Sequence, residues 1–125
     1  MRNTVSTNQA PAAIGPYNQA IDTGDLVFLA GQTPIEPSTG KIEAEGVAAQ
    51  TRRVLDNIAA VLDAASLGRG NVVKTTVYLQ SMEDFKEMNA VYAEFFDEEP
   101  PARTTVEVAG LPMGALVEIE VIAKR

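Results

Sequence analysis

Two segments near the C-terminus alternate charged and apolar side chains, and their charged residues can do chemistry. Residues 103–108 begin with Arg103, and residues 116–123 carry Glu118 and Glu120 on one face if both segments are strands. We expect both apolar faces to rest on one core, which directs Arg103 and the glutamates to the same opposite side. A guanidinium and carboxylates fixed on strands can bind a small anionic substrate. The alternative is a solvated strand face with ordinary ion pairs, each worth little.

Composition excludes several classes of catalysis. The 125 residues include no cysteine and no histidine. Ser-His and Cys-His nucleophilic catalysis, disulfides and thiolate metal sites are therefore excluded, and the commonest zinc ligand is missing. The net charge of −7 disfavours a nucleic-acid partner, because phosphate binding requires a basic face.

The length and apolar content predict a single domain over residues 1–125. Hydrophobic residues make up 46% of the chain and charged residues 22%, which is typical of a globular protein with a real core. No apolar segment follows a basic start, and none is long enough to cross a bilayer, so we expect no membrane partner. The absence of cysteine fits a cytoplasmic protein.

Periodicity predicts the order strand-strand-helix-strand-helix-strand-strand. The predicted strands are 17–21, 26–31, 72–79 and the two C-terminal segments. The first predicted helix is 46–66, ended by Gly68 and Gly70. The second predicted helix starts at a capping box formed by Ser81 and Asp84, and its core-facing residues are Phe85, Met88, Tyr92, Phe95 and Phe96. Residues 34–45 are predicted to be a loop. The linker 109–115 is either a hairpin loop or a longer crossover.

This order predicts an α+β domain with two helices on one face of a mixed sheet. Two helices cannot cover both faces, yet the strands carry apolar residues on both, including Leu26, Phe28, Leu116 and Ile122. An uncovered apolar sheet face usually finds a partner chain, so we expect a homo-oligomer.

Six segments, in the right order along nearly the whole chain, resemble the Rid (reactive intermediate deaminase, YjgF-type) family and especially its imine-deaminase subgroup. They are residues 10–17, 30–32, 73–78, 88–92, 101–108 and 117–120, of which PARTTVEV at 101–108 is the most specific. The resemblance implies a chorismate-mutase-like α+β fold, a homotrimer and ligand clefts between subunits. It also implies hydrolysis of 2-imino or enamine acids, such as 2-iminopropanoate and 2-iminobutanoate, to 2-keto acids and ammonia, with no metal or organic cofactor.

The resemblance also implies roles for five residues. The family's carboxylate-binding arginine falls on Arg103 and its water-positioning glutamate on Glu118. Its tyrosine after Gly-Pro falls on Tyr17, its cleft asparagine on Asn89, and the glycine whose backbone lies near the ligand on Gly31.

Two positions depart from the family's common pattern. Thr105 stands where a cysteine is common, and Ala30 where a serine is common. Hydrolysis of an imine does not require the cysteine, and Thr105 still offers backbone groups near the ligand. Loss of the serine can alter substrate preference or rate.

Two other functions use the same residues differently. A cleft that only binds a small carboxylate metabolite, and so regulates another protein, keeps Arg103 as its anchor but has no need of a water-activating Glu118. RNA cleavage has been suggested for relatives, but the acidic balance and the lack of histidine argue against it here.

Overall fold

A six-stranded mixed sheet organises the chain, and the computed structural model describes residues 1–125 of it. The elements in chain order are β1 Asn3–Val5, β2 Ala20–Asp22, β3 Leu26–Gln32, β4 Ile35–Glu36, β5 Lys41–Ile42, α1 Gly46–Ala64, β6 Val72–Leu79, α2 Phe85–Phe95, β7 Ala102–Glu107 and β8 Val117–Lys124. The strand order is β1-β2-β3-β8-β6-β7. Only β6 and β7 pair in parallel. The predicted α+β class is confirmed.

Both helices pack on one face of this sheet. Alternate residues of β8 (Val117, Ile119, Val121 and Ala123) are fully buried or nearly so, and they meet the buried stripe of α1. The α1 stripe recurs at helical spacing because one face of an amphipathic helix must cover the sheet. The predicted arrangement of two helices on one face is confirmed.

The prediction that Arg103 shares a face with Glu118 and Glu120 is wrong. Arg103 pairs with Thr75 of β6, which is fully buried beneath the helices. Glu118 pairs with Tyr78, three positions further along the same strand. Directly paired residues project from the same side of a sheet, and odd spacing reverses the side. Arg103 therefore lies on the helix-covered face, and Glu118 lies on the open one.

The error arises because β7 is an edge strand whose apolar residues do not mark its core side. Val106 pairs with Tyr78 and is 37% exposed on the open face. Thr105 pairs with the fully buried Val77 on the helix-covered face. Hydrophobic alternation reports the core side reliably only where the strand's other face meets water.

The connection from β7 to β8 is a crossover, which settles the alternative left open above. β6 lies between these two strands, so the linker passes over one strand through a short 3₁₀ turn at Pro112–Gly114. The loop predicted at 34–45 instead contains the small hairpin of β4 and β5.

Two predicted helix boundaries also differ in detail. The first helix ends at Ala64, and Ser66 adopts the left-handed conformation (φ 62°), so neither Gly68 nor Gly70 ends it. At the second helix, the Ser81 hydroxyl accepts a hydrogen bond from the Glu83 N–H through a 3₁₀ turn, as an N-cap does. The Asp84 side chain makes no return bond, so that half of the capping box is wrong.

The open face of the sheet carries apolar side chains that nothing in the chain covers. Phe28 pairs with Ile122 there and is 42% exposed.

Neither helix combines the length and apolarity needed to cross a bilayer.

A buried asparagine of α1 fixes the chain immediately after β3. Asn57 is fully buried, and its amide donates hydrogen bonds to the carbonyls of Thr33 (3.2 Å) and Ile35 (2.9 Å). Its side-chain oxygen accepts from Arg53 Nε at 3.1 Å. The end of β3 is thereby held against the helix.

We expect Asn57→Ala to lower the free energy of unfolding by about 2–4 kcal/mol, because it leaves buried carbonyls without donors and opens a cavity. Urea denaturation measures the loss. The neighbouring exposed Asp56→Ala is the control and should change stability by no more than about 0.5 kcal/mol. Equal effects of the two substitutions would contradict the anchoring role.

Candidate functional site

A first cleft, of about 340 Å³, opens where β3 and β8 run side by side. Its walls are Pro11, Ala12, Ile14, Tyr17, Gln19, Ala30, Gly31, Gln32, Thr33, Ile35, Pro112 and Glu118. Three of the predicted site residues, Tyr17, Gly31 and Glu118, therefore meet in one place.

Gly31 and Glu118 lie unusually close together. The β3–β8 register shifts between Leu29 and Gln32, which brings the backbone of Gly31 against the Glu118 side chain. A Cβ added at Gly31 would overlap the carboxylate and lie 3.0 Å from its carboxyl carbon. The absence of a side chain at residue 31 thus makes the space that the carboxylate occupies.

The Glu118 carboxyl has a raised pKa. Burial is the main cause because a charged carboxylate loses hydration inside the cleft, and the negative charge of Glu120 adds to it. A carboxyl of this kind accepts a proton more readily than one in water, which suits a general base.

Tyr17 forms an outer wall of the first cleft, and Gln19 fixes the segment that carries it. Tyr17 is 48% exposed, and its hydroxyl accepts a hydrogen bond from the Ile14 N–H at 3.3 Å. Gln19 is buried and donates to the carbonyls of Thr7 (3.0 Å) and Pro11 (2.8 Å). Sequence reasoning missed Gln19, since a glutamine beside a strand looks like any other polar residue.

A second cleft, of about 620 Å³, lies on the helix side between α2 and β7. Arg103 and Asn89 line it together with Lys86, Ala90, Tyr92, Ala93, Phe96, Pro100 and Pro101. The Arg103 guanidinium carbon lies 4.7 Å from the ring centroid of Tyr92 and 5.5 Å from that of Phe85. These rings, predicted only as core, hold the guanidinium by cation–π attraction.

Tyr92 is itself fixed from below. Its hydroxyl lies 2.7 Å from the Thr75 hydroxyl, and both residues are buried. Burial raises the pKa of Tyr92, so it remains neutral beneath the arginine. A tyrosine on the apolar face of a helix needs such a polar partner, which is the signal that could have identified this support.

Arg103 and two polar side chains near it, Asn89 and Thr105, are left without partners. No carboxylate of the chain forms an ion pair with its guanidinium. The side-chain oxygens of Asn89 and Thr105 are buried and accept no hydrogen bond. Buried polar atoms are nearly always paired in folded proteins, so this cluster is typical of a surface that a ligand or a second chain completes.

The predicted site residues therefore divide into two groups. Tyr17, Gly31 and Glu118 meet in the first cleft, and Arg103 and Asn89 meet in the second, with Thr105 two residues further along the same face of β7. The two clefts share no lining residue and lie on opposite faces of the sheet. One copy of the chain does not bring Arg103 and Glu118 together.

Comparison with known proteins gives a consistent relationship over the full length. A family model described as Endoribonuclease L-PSP matches residues 7–125. The 2-iminobutanoate/2-iminopropanoate deaminase of Escherichia coli (strain K12) is 48% identical over 128 residues, which covers 100% of this chain and 99% of that protein. The chain belongs to the Rid family. The resemblance noted in the sequence is thereby confirmed.

Other relatives extend this family assignment. A RutC family protein of Pyrococcus horikoshii is 52% identical over 123 residues, which is 98% of each protein. The crystal structure of Escherichia coli TdcF with bound serine superposes with a TM-score of 0.94 at 44% identity and covers 98% of both chains. The fold described here is therefore the Rid fold, in which that relative holds a small amino acid.

We expect Gly31→Ala to push the Glu118 carboxylate towards solvent while the fold remains intact. A more hydrated carboxylate is easier to ionise, so the pKa of Glu118 should fall towards its ordinary value. The carbon-13 NMR signal of the side-chain carboxyl, assigned with Glu118→Gln, measures the titration midpoint.

The matched control for this substitution is Gly68→Ala. A Cβ there meets nothing within 4 Å, and the backbone φ of −133° suits any residue. The Glu118 midpoint should stay unchanged in that variant. An unchanged midpoint in Gly31→Ala as well would show that the close approach does not set the position of the carboxylate.

Proposed function

We propose that the chain hydrolyses 2-imino and enamine acids, such as 2-iminopropanoate and 2-iminobutanoate, to 2-keto acids and ammonia. The observation that carries the proposal is the unpaired Arg103 guanidinium, fixed over two rings beside unpaired oxygens of Asn89 and Thr105. Such a guanidinium can bind a carboxylate through two parallel hydrogen bonds, which sets both position and angle. The deaminase name of the Escherichia coli relative supports the same reaction.

The reaction needs only groups that this chain possesses. Glu118 takes a proton from water as the water oxygen bonds to the carbon of the protonated imine, giving a neutral carbinolamine. Glu118 then returns that proton to the nitrogen, the C–N bond breaks, and ammonia leaves as the carbinolamine hydroxyl gives its proton to the Glu118 carboxylate to form the ketone. The imine carbon is already a strong electrophile, so orientation and proton transfer suffice without histidine, thiolate or metal.

A complete site requires two copies of the chain in this proposal. We infer a homotrimer in which the Arg103 cleft of one subunit faces the Glu118 cleft of the next. The open apolar face around Phe28 supplies a surface that association would bury. The cytoplasm remains the expected location.

Arg103→Ala should lower kcat/KM at least about a hundredfold, because the substrate anchor is lost, and Arg103→Lys should restore only part of it. Glu118→Gln should lower kcat by about a hundredfold while sparing binding of the 2-keto product. In the assay, an amino-acid oxidase generates the imine, and semicarbazide traps the imine that the protein has not hydrolysed.

Arg69→Ala is the matched control for the arginine variants. Arg69 also stacks on a ring, 4.3 Å from the centroid of Phe95, but outside both clefts. It should hydrolyse imines at the wild-type rate. Full activity in Arg103→Ala would overturn the assignment of the anchor.

Mixed oligomers test whether the site spans two chains. Arg103→Ala and Glu118→Ala should each be inactive alone. Co-refolded at equal amounts, they should recover about a quarter of wild-type activity, since some interfaces then pair an intact Arg103 with an intact Glu118. Light scattering should give three times the chain mass. No recovery in verified mixed trimers would contradict a site formed by Arg103 of one chain and Glu118 of another.

A binding-only role is the second candidate, supported by the serine bound in the TdcF structure. In that case both Glu118→Gln and the wild type would bind small carboxylates, and neither would hydrolyse imines. RNA cleavage has the family model's description in its favour. The net charge of −7 and the absence of histidine oppose it.

A further inference from the structure

A tyrosine–glutamate pair lies beside Glu118 on the open face, and the proposed reaction does not use it. The Tyr78 hydroxyl donates a hydrogen bond to Glu120 Oε1. Tyr78 is the direct register partner of Glu118, and Thr76 is that of Glu120. The tyrosine therefore stands next to one glutamate and reaches diagonally to the other, within the range of neighbouring side chains on a sheet.

Glu120 lies two residues from Glu118 on the same face of β8, and its negative charge acts on the Glu118 carboxyl. Gly31 of β3 brings no charge, and Tyr17 is the other titratable group in the first cleft. Lys74 of β6 also lies on this face, but it pairs with Ile122 and turns its ammonium to the Thr104 hydroxyl at 3.4 Å.

We propose that Glu120, held in place by Tyr78, is a positioning residue that sets the proton affinity of Glu118. The inference rests on the proposed role of Glu118 as the base. A fixed negative charge two residues along the strand favours proton uptake by Glu118, as neighbouring like charges do. The hydrogen bond keeps that charge in the protein, because a free side chain would turn to water and its field would be screened.

The pKa shifts of Tyr78 and Glu118 agree with this geometry. The hydrogen bond to Glu120 raises the pKa of Tyr78 to about 12, so the phenol remains a donor at every pH at which the enzyme would work. The charge of Glu120 adds to the effect of burial in raising the pKa of Glu118. Tyr78 and Glu120 thus act through Glu118 without touching the substrate.

Glu120→Gln removes the charge and keeps the shape. The acidic limb of the profile of kcat/KM against pH should move to lower pH by about half a unit, because Glu118 then loses its proton more easily. Ionisation of the imine itself affects the wild type and every variant equally. Differences between their profiles of kcat/KM against pH therefore come from groups of the protein. Asp63→Asn removes an equal charge from the exposed side of α1, across the sheet, and should leave the limb in place.

Tyr78→Phe tests the hydrogen bond separately. It should move the acidic limb in the same direction by less, since Glu120 stays charged but becomes mobile. In the Glu120→Gln background it should have no further effect. An undiminished effect in that background would show that Tyr78 acts directly rather than through Glu120, and would overturn the proposal.

Direct titration of Glu118 separates this inference from the proposed function. The carbon-13 NMR midpoint of its carboxyl should fall in Glu120→Gln whether or not the protein turns over imines. An unchanged midpoint would overturn the positioning role even in an active enzyme. If Glu120→Gln lowers the midpoint but the wild type hydrolyses no imine, the coupling of the two glutamates stands and only its catalytic purpose is removed.

Discussion

The pleat of the central sheet is the constraint on which the rest of this molecule depends. Because successive side chains point to opposite faces, the register of β6 against β7 and β8 sends Arg103 under the helices and Glu118 to the open side. The side chain of Arg103 ends over aromatic rings, and that of Glu118 ends over a glycine. A small substrate that needs both groups must lie between two copies of the chain, so the strand register also determines that such a site requires assembly.

Each half of the proposed site is prepared in a different way. Cation–π contacts can contribute about 0.5–2 kcal/mol, and they hold Arg103 without occupying its N–H donors. A carboxylate partner would hold it as firmly but would compete with an anionic ligand. Glu118 is prepared by burial, which keeps a carboxyl poised to accept a proton. The proposed anchor is therefore left free of an ion pair, and the proposed base is left short of water.

Much of the fold could be predicted from the sequence, because long periodic segments leave few alternatives. The helical stripe of α1 and the buried alternation of β8 gave the element order and the layer arrangement. The prediction for β7 is wrong because this edge strand places the apolar Val106 on the open face and the charged Arg103 on the helix-covered face, which inverts the usual pattern of apolar residues towards the core. The alternation of charged residues singled out Arg103 and Glu118, and the family resemblance added Tyr17, Gly31 and Asn89. Their division between two clefts depends on a strand register that no local pattern reveals. Ser66 takes the left-handed position expected of a glycine, since the chain turns two residues earlier than Gly68 predicts.

The open face combines two properties that normally conflict. Apolar side chains such as Phe28 and Ile122 favour burial against another chain, whereas Glu118 and Glu120 resist it unless their charges are satisfied. The Tyr78 hydroxyl satisfies one carboxylate of the pair, and the raised pKa of the other lowers the cost of keeping it out of water. An assembly that covers this face can therefore retain two adjacent carboxyl groups, one of them hydrogen-bonded to Tyr78 and the other ready to take a proton. On an isolated chain, water would weaken the coupling between them, so the proposed association would both complete the cleft and strengthen the electrostatics on which the proposed chemistry relies.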